Sequence, residues 1–279
     1  MSVLDGLNNF IETYVRIFRG LGSLRLLAPF LIMGCIKALF LTVLVLFYLP
    51  PVYKMLIPIL GYFYSDRVLH FPYYYLVLPQ IFMYGSSLIL DLVFGVILYA
   101  SAVFIIGTNI KQERGGLIEG LRTARKSYGS LVLIWFLKTA ILTIIFQFGW
   151  SLIIPLIYGM PFADFSTFLI VQIVGLIITA FLVYAVPAIM LHRQGFITAV
   201  LTSVKFTGRN FIFSFFLVFI PWLIGLPLNY FIFSKGHVII SKFNYSVMIY
   251  LLGLDIIISV FTSFILLAGI TYFYLYKTE

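Results

Sequence analysis

Six long apolar stretches alternate with short polar segments along this chain. Each apolar stretch exceeds 20 residues without a repeating polar face, and a helix needs about 20 predominantly apolar residues to cross a bilayer. The stretches cover approximately residues 26–49, 79–107, 131–158, 168–191, 211–233 and 247–274. This pattern predicts an all-α, polytopic membrane helix bundle with six transmembrane helices, forming one domain over residues 1–279.

Three polar segments show a different, amphipathic pattern, in which apolar and polar residues alternate at helical spacing. They lie at about residues 6–19, 116–128 and 195–208. In the third segment Thr198, Thr202, Lys205 and Arg209 follow one another at steps of four, three and four residues. A helix with a basic polar side and an apolar side lies in the plane of the membrane surface. We therefore expect three interfacial helices.

The second and third amphipathic segments align without a gap when Gly116 is set against Gly195. The aligned pairs are Gly116/Gly195, Ile118/Ile197, Thr123/Thr202, Lys126/Lys205 and Gly129/Gly208. The N-terminal segment fits more loosely, through Gly6, Leu7, Thr13 and Arg16. The match predicts three repeats, each made of an interfacial helix, an outward span and a returning span. In each repeat we expect the first glycine to end or turn the incoming helix and the second glycine to turn the chain into the membrane. The alternative is that any amphipathic connector aligns this well.

Composition and charge agree with a membrane protein. The 279 residues are 63% hydrophobic and 10% charged, with a mean hydropathy of +1.13, whereas soluble domains carry about 25% charged residues. The net charge of +9 does not indicate nucleic-acid binding, because most Lys and Arg lie in the short segments between spans. Twelve lie on the side of the termini and four in the opposite loops. The positive-inside rule then predicts that both termini are cytoplasmic.

The sequence carries no recognisable catalytic or metal-binding motif. Cys35 is the only cysteine, and His70, His192 and His237 are scattered among loops and boundaries, so no metal cluster of Cys and His is expected. The nucleophile-elbow, P-loop, dinucleotide and zinc-protease patterns are absent from the sequence. We expect a protein that is not an enzyme and has no cofactor.

The segment Val186–Phe216 carries a resemblance to a known group. It contains Val-Pro-Ala-Ile, a short polar corner, Gly195 followed four residues later by Ala199, and an aromatic-rich span. It resembles prokaryotic six-helix integral membrane proteins related to the membrane region of glycerophosphoryl diester phosphodiesterases, with weaker support from residues 116–136. The resemblance implies a helical membrane module of the prokaryotic cytoplasmic membrane. It carries over no catalytic residue, because the phosphodiesterase activity belongs to a separate soluble domain.

Four ionisable residues lie within the apolar stretches: Lys37, Asp91, Lys138 and Asp255. A charge at the bilayer centre costs about 2.5–3.5 kcal/mol on insertion scales, so each should face the bundle interior or reach water. One interpretation is a buried pair of Lys37 or Lys138 with Asp91, which serves packing. The other is a relay for protons or ions.

Two hypotheses for function follow. In the first, the protein binds anionic lipid headgroups, or a protein partner or second copy, through the interfacial helices. The candidate contacts are Arg16, Arg19, Arg122, Arg125, Lys126, Lys205 and Arg209. In the second, it is a transporter or channel for a small solute or ion, with the four intramembrane charges along the path.

Overall fold

The computed structural model describes residues 3–113, 115–157 and 163–278, which form helices and contain no strand. The first half of the chain forms α1 (Val3–Gly20), α2 (Leu24–Val45), α3 (Pro50–Phe63), α4 (Asp66–Leu69), α5 (Tyr74–Tyr84), a π-helical segment (Gly85–Gly95) and α6 (Val96–Ile110). The second half forms α7 (Leu117–Lys126), α8 (Tyr128–Ile157), α9 (Ala163–Leu182), α10 (Ala185–His192), α11 (Phe196–Arg209), α12 (Phe211–Lys242) and α13 (Tyr245–Thr278).

Six helical stretches are long and apolar enough to cross a membrane. They are Leu24–Tyr48, Tyr74–Ile110, Tyr128–Ile153, Phe165–His192, Phe211–Ile232 and Tyr245–Thr278. The prediction of an all-α chain with six candidate spans is therefore confirmed. The second stretch begins five residues earlier than predicted, because α5 continues through Pro79. The chain thus belongs to the multi-pass membrane proteins.

The chain divides into two compact units. Unit 1 comprises Met1–Pro29, Val96–Pro221 and Ile265–Glu279, and unit 2 comprises Phe30–Gly95 and Trp222–Phe264. Hydropathy does not reveal this division, because it records how apolar a span is and not which spans pack together.

The core of unit 1 is built around the fully buried Tyr184 and Tyr274, whose ring centroids lie 5.9 Å apart. Helix α1 docks on this unit through Ile17, which is fully buried. Gly269 makes room for this contact, since a Cβ atom there would lie 3.3 Å from Ile17 Cδ1. Burial also raises the pKa of Tyr14 on α1 to about 12. Helix α1 is thus held through Ile17, whereas Ile11, Val15 and Phe18 on its apolar side stay exposed.

The core of unit 2 is aromatic at one end. Phe47 stacks on Tyr74 with ring centroids 4.5 Å apart, and both side chains are fully buried. The Tyr74 hydroxyl donates a hydrogen bond of 2.8 Å to the Leu44 carbonyl oxygen, so the polar end of this ring is satisfied in the core. These contacts fix the start of the second span against the end of the first.

Candidate functional site

All the predicted headgroup-binding side chains are exposed in the structure. They are Arg16 and Arg19 on α1, Arg122, Arg125 and Lys126 on α7, and Lys205 and Arg209 on α11. Arg16 forms an ion pair of 2.6 Å with Glu12, one turn earlier on α1. Exposed pairs of this kind are weak, so Arg16 can exchange Glu12 for another anion at little cost.

Helix α11 has three faces, where the sequence predicted two. The polar stripe of Thr198, Thr202, Lys205 and Arg209 follows one side, as expected. A stripe of small residues, Ala199, Ser203 and Thr207, is buried against unit 1. The third face exposes Ile197, Leu201 and Val204, which are 71%, 64% and 41% accessible. Its apolar residues therefore do not fill the protein core, which is the arrangement that membrane insertion requires.

Helix α7 repeats the burial pattern of α11 at the aligned positions. Gly120 and Ala124 are buried in α7, where α11 has Ala199 and Ser203. The aligned Ile118 is 76% accessible, like Ile197 in α11. Gly120 allows a close approach to α6, because a Cβ atom there would lie 3.0 Å from the Ser101 carbonyl oxygen. Small residues that let backbones approach are the usual means of packing membrane helices.

The glycines of the proposed repeat do not act as the sequence predicted. Gly116 and Gly195 have extended backbones and form the N-caps of α7 and α11. The left-handed residues that reverse the chain before them are Gln112 and Arg193, with φ of 58° and 53°. A left-handed conformation costs a non-glycine residue about 1–2 kcal/mol. The two left-handed residues lie four and two residues before the aligned glycines, so the corners do not follow the same backbone path.

The second glycines also differ from the prediction. Gly129 lies at the start of α8 and Gly208 in the last turn of α11, whereas the non-helical residues between helices are Ser127 and Asn210. In the N-terminal segment Gly6 lies inside α1 and does not cap it. The structural likeness is therefore between α7 and α11, and α1 departs from it.

The fourth span, expected to be continuous, is broken between α9 and α10. Pro187 has no N–H to donate to the Val183 carbonyl, and its ring crowds that group, so the helix is interrupted at Val183–Tyr184. The interruption leaves the Tyr184 N–H and the carbonyl oxygens of Ala180 and Phe181 without their usual intrahelical bonds. In a membrane such groups must be satisfied within the protein.

Helix α11 supplies those missing hydrogen bonds. The Ser203 hydroxyl accepts a hydrogen bond of 3.1 Å from the Tyr184 N–H and donates one of 2.7 Å to the Phe181 carbonyl oxygen. The Thr207 hydroxyl donates one of 2.8 Å to the Ala180 carbonyl oxygen. The break is thus sealed by the buried face of an amphipathic helix. Two features of the sequence together could have indicated this contact: Pro187 within the fourth span, and the stripe of small residues on α11.

The intramembrane charges fall into two groups. In unit 2, Lys37 Nζ lies 3.3 Å from Asp91 Oδ1, and both side chains are mostly buried. Asp255 is half-buried on α13 of the same unit. Of the two lysines proposed as partners of Asp91, Lys37 is therefore the one that pairs with it. Lys138 is half-buried and belongs to unit 1.

Close helix packing brings the charges of unit 2 together. Gly34, one turn before Lys37, faces the last span so closely that a Cβ atom would lie 2.7 Å from Val260 Cγ2. On the second span, a Cβ atom at Gly85 would overlap the ring of Phe40. Asp91 itself lies on the π-helical segment, whose wider turn changes which side chains face the neighbouring helices. Such segments are frequent at functional sites.

Three hydroxyls within the spans bond to their own helices. Ser151, Ser259 and Thr262 donate to carbonyl oxygens three or four residues earlier, at 2.8–2.9 Å. These hydroxyls are therefore satisfied without a ligand or a neighbouring helix. A cavity of about 140 Å³ in unit 2 is lined by Pro72, Tyr73, Leu76, Ile240 and Ser241. It includes none of the intramembrane charges, so it is not a path along them.

Within residues 3–113, 115–157 and 163–278, no group of three His, Cys, Asp or Glu side chains is placed to hold a metal ion. No family model, curated protein or solved structure matches the chain. The resemblance to the membrane region of glycerophosphoryl diester phosphodiesterases accordingly stays a prediction.

Proposed function

We propose that this chain is a multi-pass membrane protein that binds anionic lipid headgroups through α1, α7 and α11. The observation that carries the proposal is α11, where exposed apolar side chains lie beside exposed Lys205 and Arg209. Apolar residues insert among acyl chains while basic residues contact phosphates, and each base near an anionic surface contributes about 1 kcal/mol. The module needs no catalytic residue for this role.

The proposal includes a topology. Both termini and the three amphipathic helices lie in the cytoplasm of a prokaryotic cell, where anionic lipid headgroups face them. Support comes from the excess of Lys and Arg in and beside these helices. Reporter fusions after residue 279 and within residues 243–246 test it, with cytoplasmic and outside signals expected, respectively. The opposite pair of signals contradicts the topology.

The lipid proposal is tested by flotation of the detergent-solubilised chain with added liposomes. The basic-helix variant carries Arg16→Gln, Lys126→Gln and Lys205→Gln, and should lose most of its preference for anionic over neutral liposomes. The matched control carries Lys54→Gln, Lys235→Gln and Lys242→Gln, which removes the same charge from exposed residues of the opposite segments. If both variants lose the preference for anionic liposomes equally, the preference depends only on net charge, and the proposal is overturned.

A second candidate function is transport of a small solute or ion. It is favoured by one observation, the contact of Lys37 with Asp91 inside the candidate spans of unit 2, since intramembrane charges commonly mark pathways. The test is flux into liposomes that contain the purified chain. A flux that is lost in Asp91→Asn and kept in the basic-helix variant supports transport. Transport is ruled out if the flux of protons, alkali cations and small anions is no greater than in protein-free liposomes.

A further inference from the structure

We infer that α3 (Pro50–Phe63) lies in the membrane surface, with an exposed apolar side inserted among the acyl chains of the leaflet where the first span ends. Its partner is the lipid itself, whatever the charge of the headgroup. The inference goes beyond the proposed binding of anionic headgroups by α1, α7 and α11, because Lys54 is the only charged residue of α3.

The length and position of α3 exclude a seventh span. Its 14 residues extend for about 21 Å at about 1.5 Å per residue, whereas the hydrocarbon core of a bilayer is about 30 Å thick. The helix lies between the first candidate span, which ends at Tyr48, and the second, which begins at Tyr74. Because α3 is too short to cross the membrane, it stays at the surface where the first span ends.

One side of α3 holds the helix against unit 2. Leu60 is buried, and Leu56 packs partly buried against the same core. At the start of the helix the Tyr53 N–H donates a hydrogen bond of 2.9 Å to the Leu49 carbonyl oxygen. The Tyr53 ring centroid also lies 5.4 Å from that of the fully buried Phe47. These contacts tie α3 to the end of the first span, so the helix remains close to the membrane boundary.

A second side of α3 is apolar and exposed. Met55, Ile59 and Tyr62 follow one another at steps of four and three residues, and Phe63 lies beside them. The four side chains are 75%, 59%, 85% and 72% accessible in that order. Exposed apolar patches of this kind mark contacts with a membrane or with another protein. The stripe follows directly in the chain on the apolar end of the first span, where Leu46 is also exposed.

Lys54 marks a third side of α3, which points away from the apolar stripe. Successive residues are about 100° apart around a helix, so exposed Lys54 and Gly61 share one side, and Ile59 lies about 140° from Lys54. Pro58 has no N–H to donate to the Lys54 carbonyl oxygen. A backbone group without its helical partner is unfavourable among acyl chains. The Lys54 side therefore faces headgroups and water, and the stripe faces the bilayer.

A lipid leaflet fits this helix better than a second protein. The first span must itself be surrounded by acyl chains, so the stripe that adjoins it enters the same environment. Tyr62 and Phe63 lie edge to face with ring centroids 5.2 Å apart, and tyrosine is enriched at the boundary between acyl chains and headgroups. A single lysine adds little attraction to anionic lipid compared with a basic cluster. Insertion of α3 should therefore not depend on headgroup charge.

Fluorescence quenching of the full chain in lipid nanodiscs tests the inference. After Cys35→Ser removes the native cysteine, a fluorescent probe is attached to Ile59→Cys or Tyr62→Cys on the stripe. The control is Gly61→Cys on the Lys54 side, where an added Cβ atom meets no atom within 4 Å. Lipids spin-labelled in the acyl chain should quench the stripe probes several-fold more than the control probe. Aqueous iodide should quench the control probe several-fold more than the stripe probes.

The same pattern is expected in nanodiscs of phosphatidylcholine alone and in nanodiscs that also contain phosphatidylglycerol. Three results would overturn the inference. Strong iodide quenching of the stripe probes means that the stripe lies in water, and protection from both quenchers means that a second copy or another protein covers it. Acyl-chain quenching that requires phosphatidylglycerol means that headgroup charge holds the helix. The basic-helix variant should leave the quenching unchanged, so this inference and the proposed function fail independently.

Discussion

Ser203 on α11 donates a hydrogen bond of 2.7 Å to the carbonyl oxygen of Phe181, at the end of α9. The same hydroxyl accepts from the Tyr184 N–H at 3.1 Å, so one side chain bridges both sides of the break in the fourth span. This bond links a helix with exposed basic side chains, Lys205 and Arg209, to the interior of unit 1. If α11 moves, the broken part of the fourth span must move with it, because otherwise the Tyr184 N–H and the Phe181 carbonyl oxygen lose their hydrogen-bond partner.

Replacing Ser203 by Ala should therefore destabilise unit 1. The substitution leaves the Tyr184 N–H and the Phe181 carbonyl oxygen without this partner, and we expect a loss of about 1–2 kcal/mol in the free energy of unfolding. Reversible unfolding in mixed detergent micelles measures it, and amide exchange at Tyr184 should accelerate. The control is Thr198→Ala on the exposed polar face of the same helix, which should change neither quantity. Equal effects of the two variants would show that Ser203 contributes only helix propensity.

The second prediction concerns Gly34, which lies in the first span and faces Val260. Alanine there would put a Cβ atom 2.7 Å from Val260 Cγ2, and a β-branched valine in a helix has little rotameric freedom to yield. We expect Gly34→Ala to cost about 1–3 kcal/mol of stability and to disturb the Lys37–Asp91 pair one turn away. The matched control is Gly253→Ala in α13, where no atom lies within 4 Å of the added Cβ. Unfolding in mixed micelles should show that the control is neutral or slightly stabilised.

The number and bounds of the spans were predictable, and the pairing of the charges was not. Bilayer thickness requires each span to be long and apolar, so the sequence itself records where spans begin and end. Whether Lys37 or Lys138 pairs with Asp91 depends on the register between helices, which close contacts such as that of Gly34 with Val260 decide. A single sequence contains no record of that register.

The role of α11 was predictable only in part. The polar stripe through Lys205 marked an amphipathic helix, and the structure has a helix there. Ser203 and Thr207 were not singled out, because a two-sided pattern assigns every residue to the polar or the apolar side. Small hydroxyl residues serve a third purpose, since they satisfy backbone groups that a nearby proline has freed. Pro187 in the preceding span was the signal that pointed to this need.

Gly120 provides the third prediction, at the contact between α7 and α6. A Cβ atom there would lie 3.0 Å from the Ser101 carbonyl oxygen and 3.1 Å from its Cβ atom. Both neighbours are tied to the backbone of α6 and cannot turn aside, so Gly120→Ala should cost about 1–3 kcal/mol. Gly129→Ala, with no atom within 4 Å, is the control in the following helix. If thermal denaturation in detergent gives both variants the same midpoint, the close approach of α7 to α6 is not needed for stability.

The three faces of α11 provide the last prediction, which concerns where this helix lies. Spin labels are attached to single cysteines after Cys35, the only native cysteine, is replaced by serine. A label at Leu201, on the exposed apolar stripe, should be relaxed mainly by oxygen, which concentrates among acyl chains. A label at Thr198, on the polar stripe, should be relaxed mainly by a water-soluble nickel complex. The two positions are close on the same helix, so their difference reports the direction in which each face points. Comparable oxygen and nickel accessibilities at the two positions would mean that α11 does not lie at the lipid–water boundary, and the lipid-binding proposal would lose the helix on which it mainly rests.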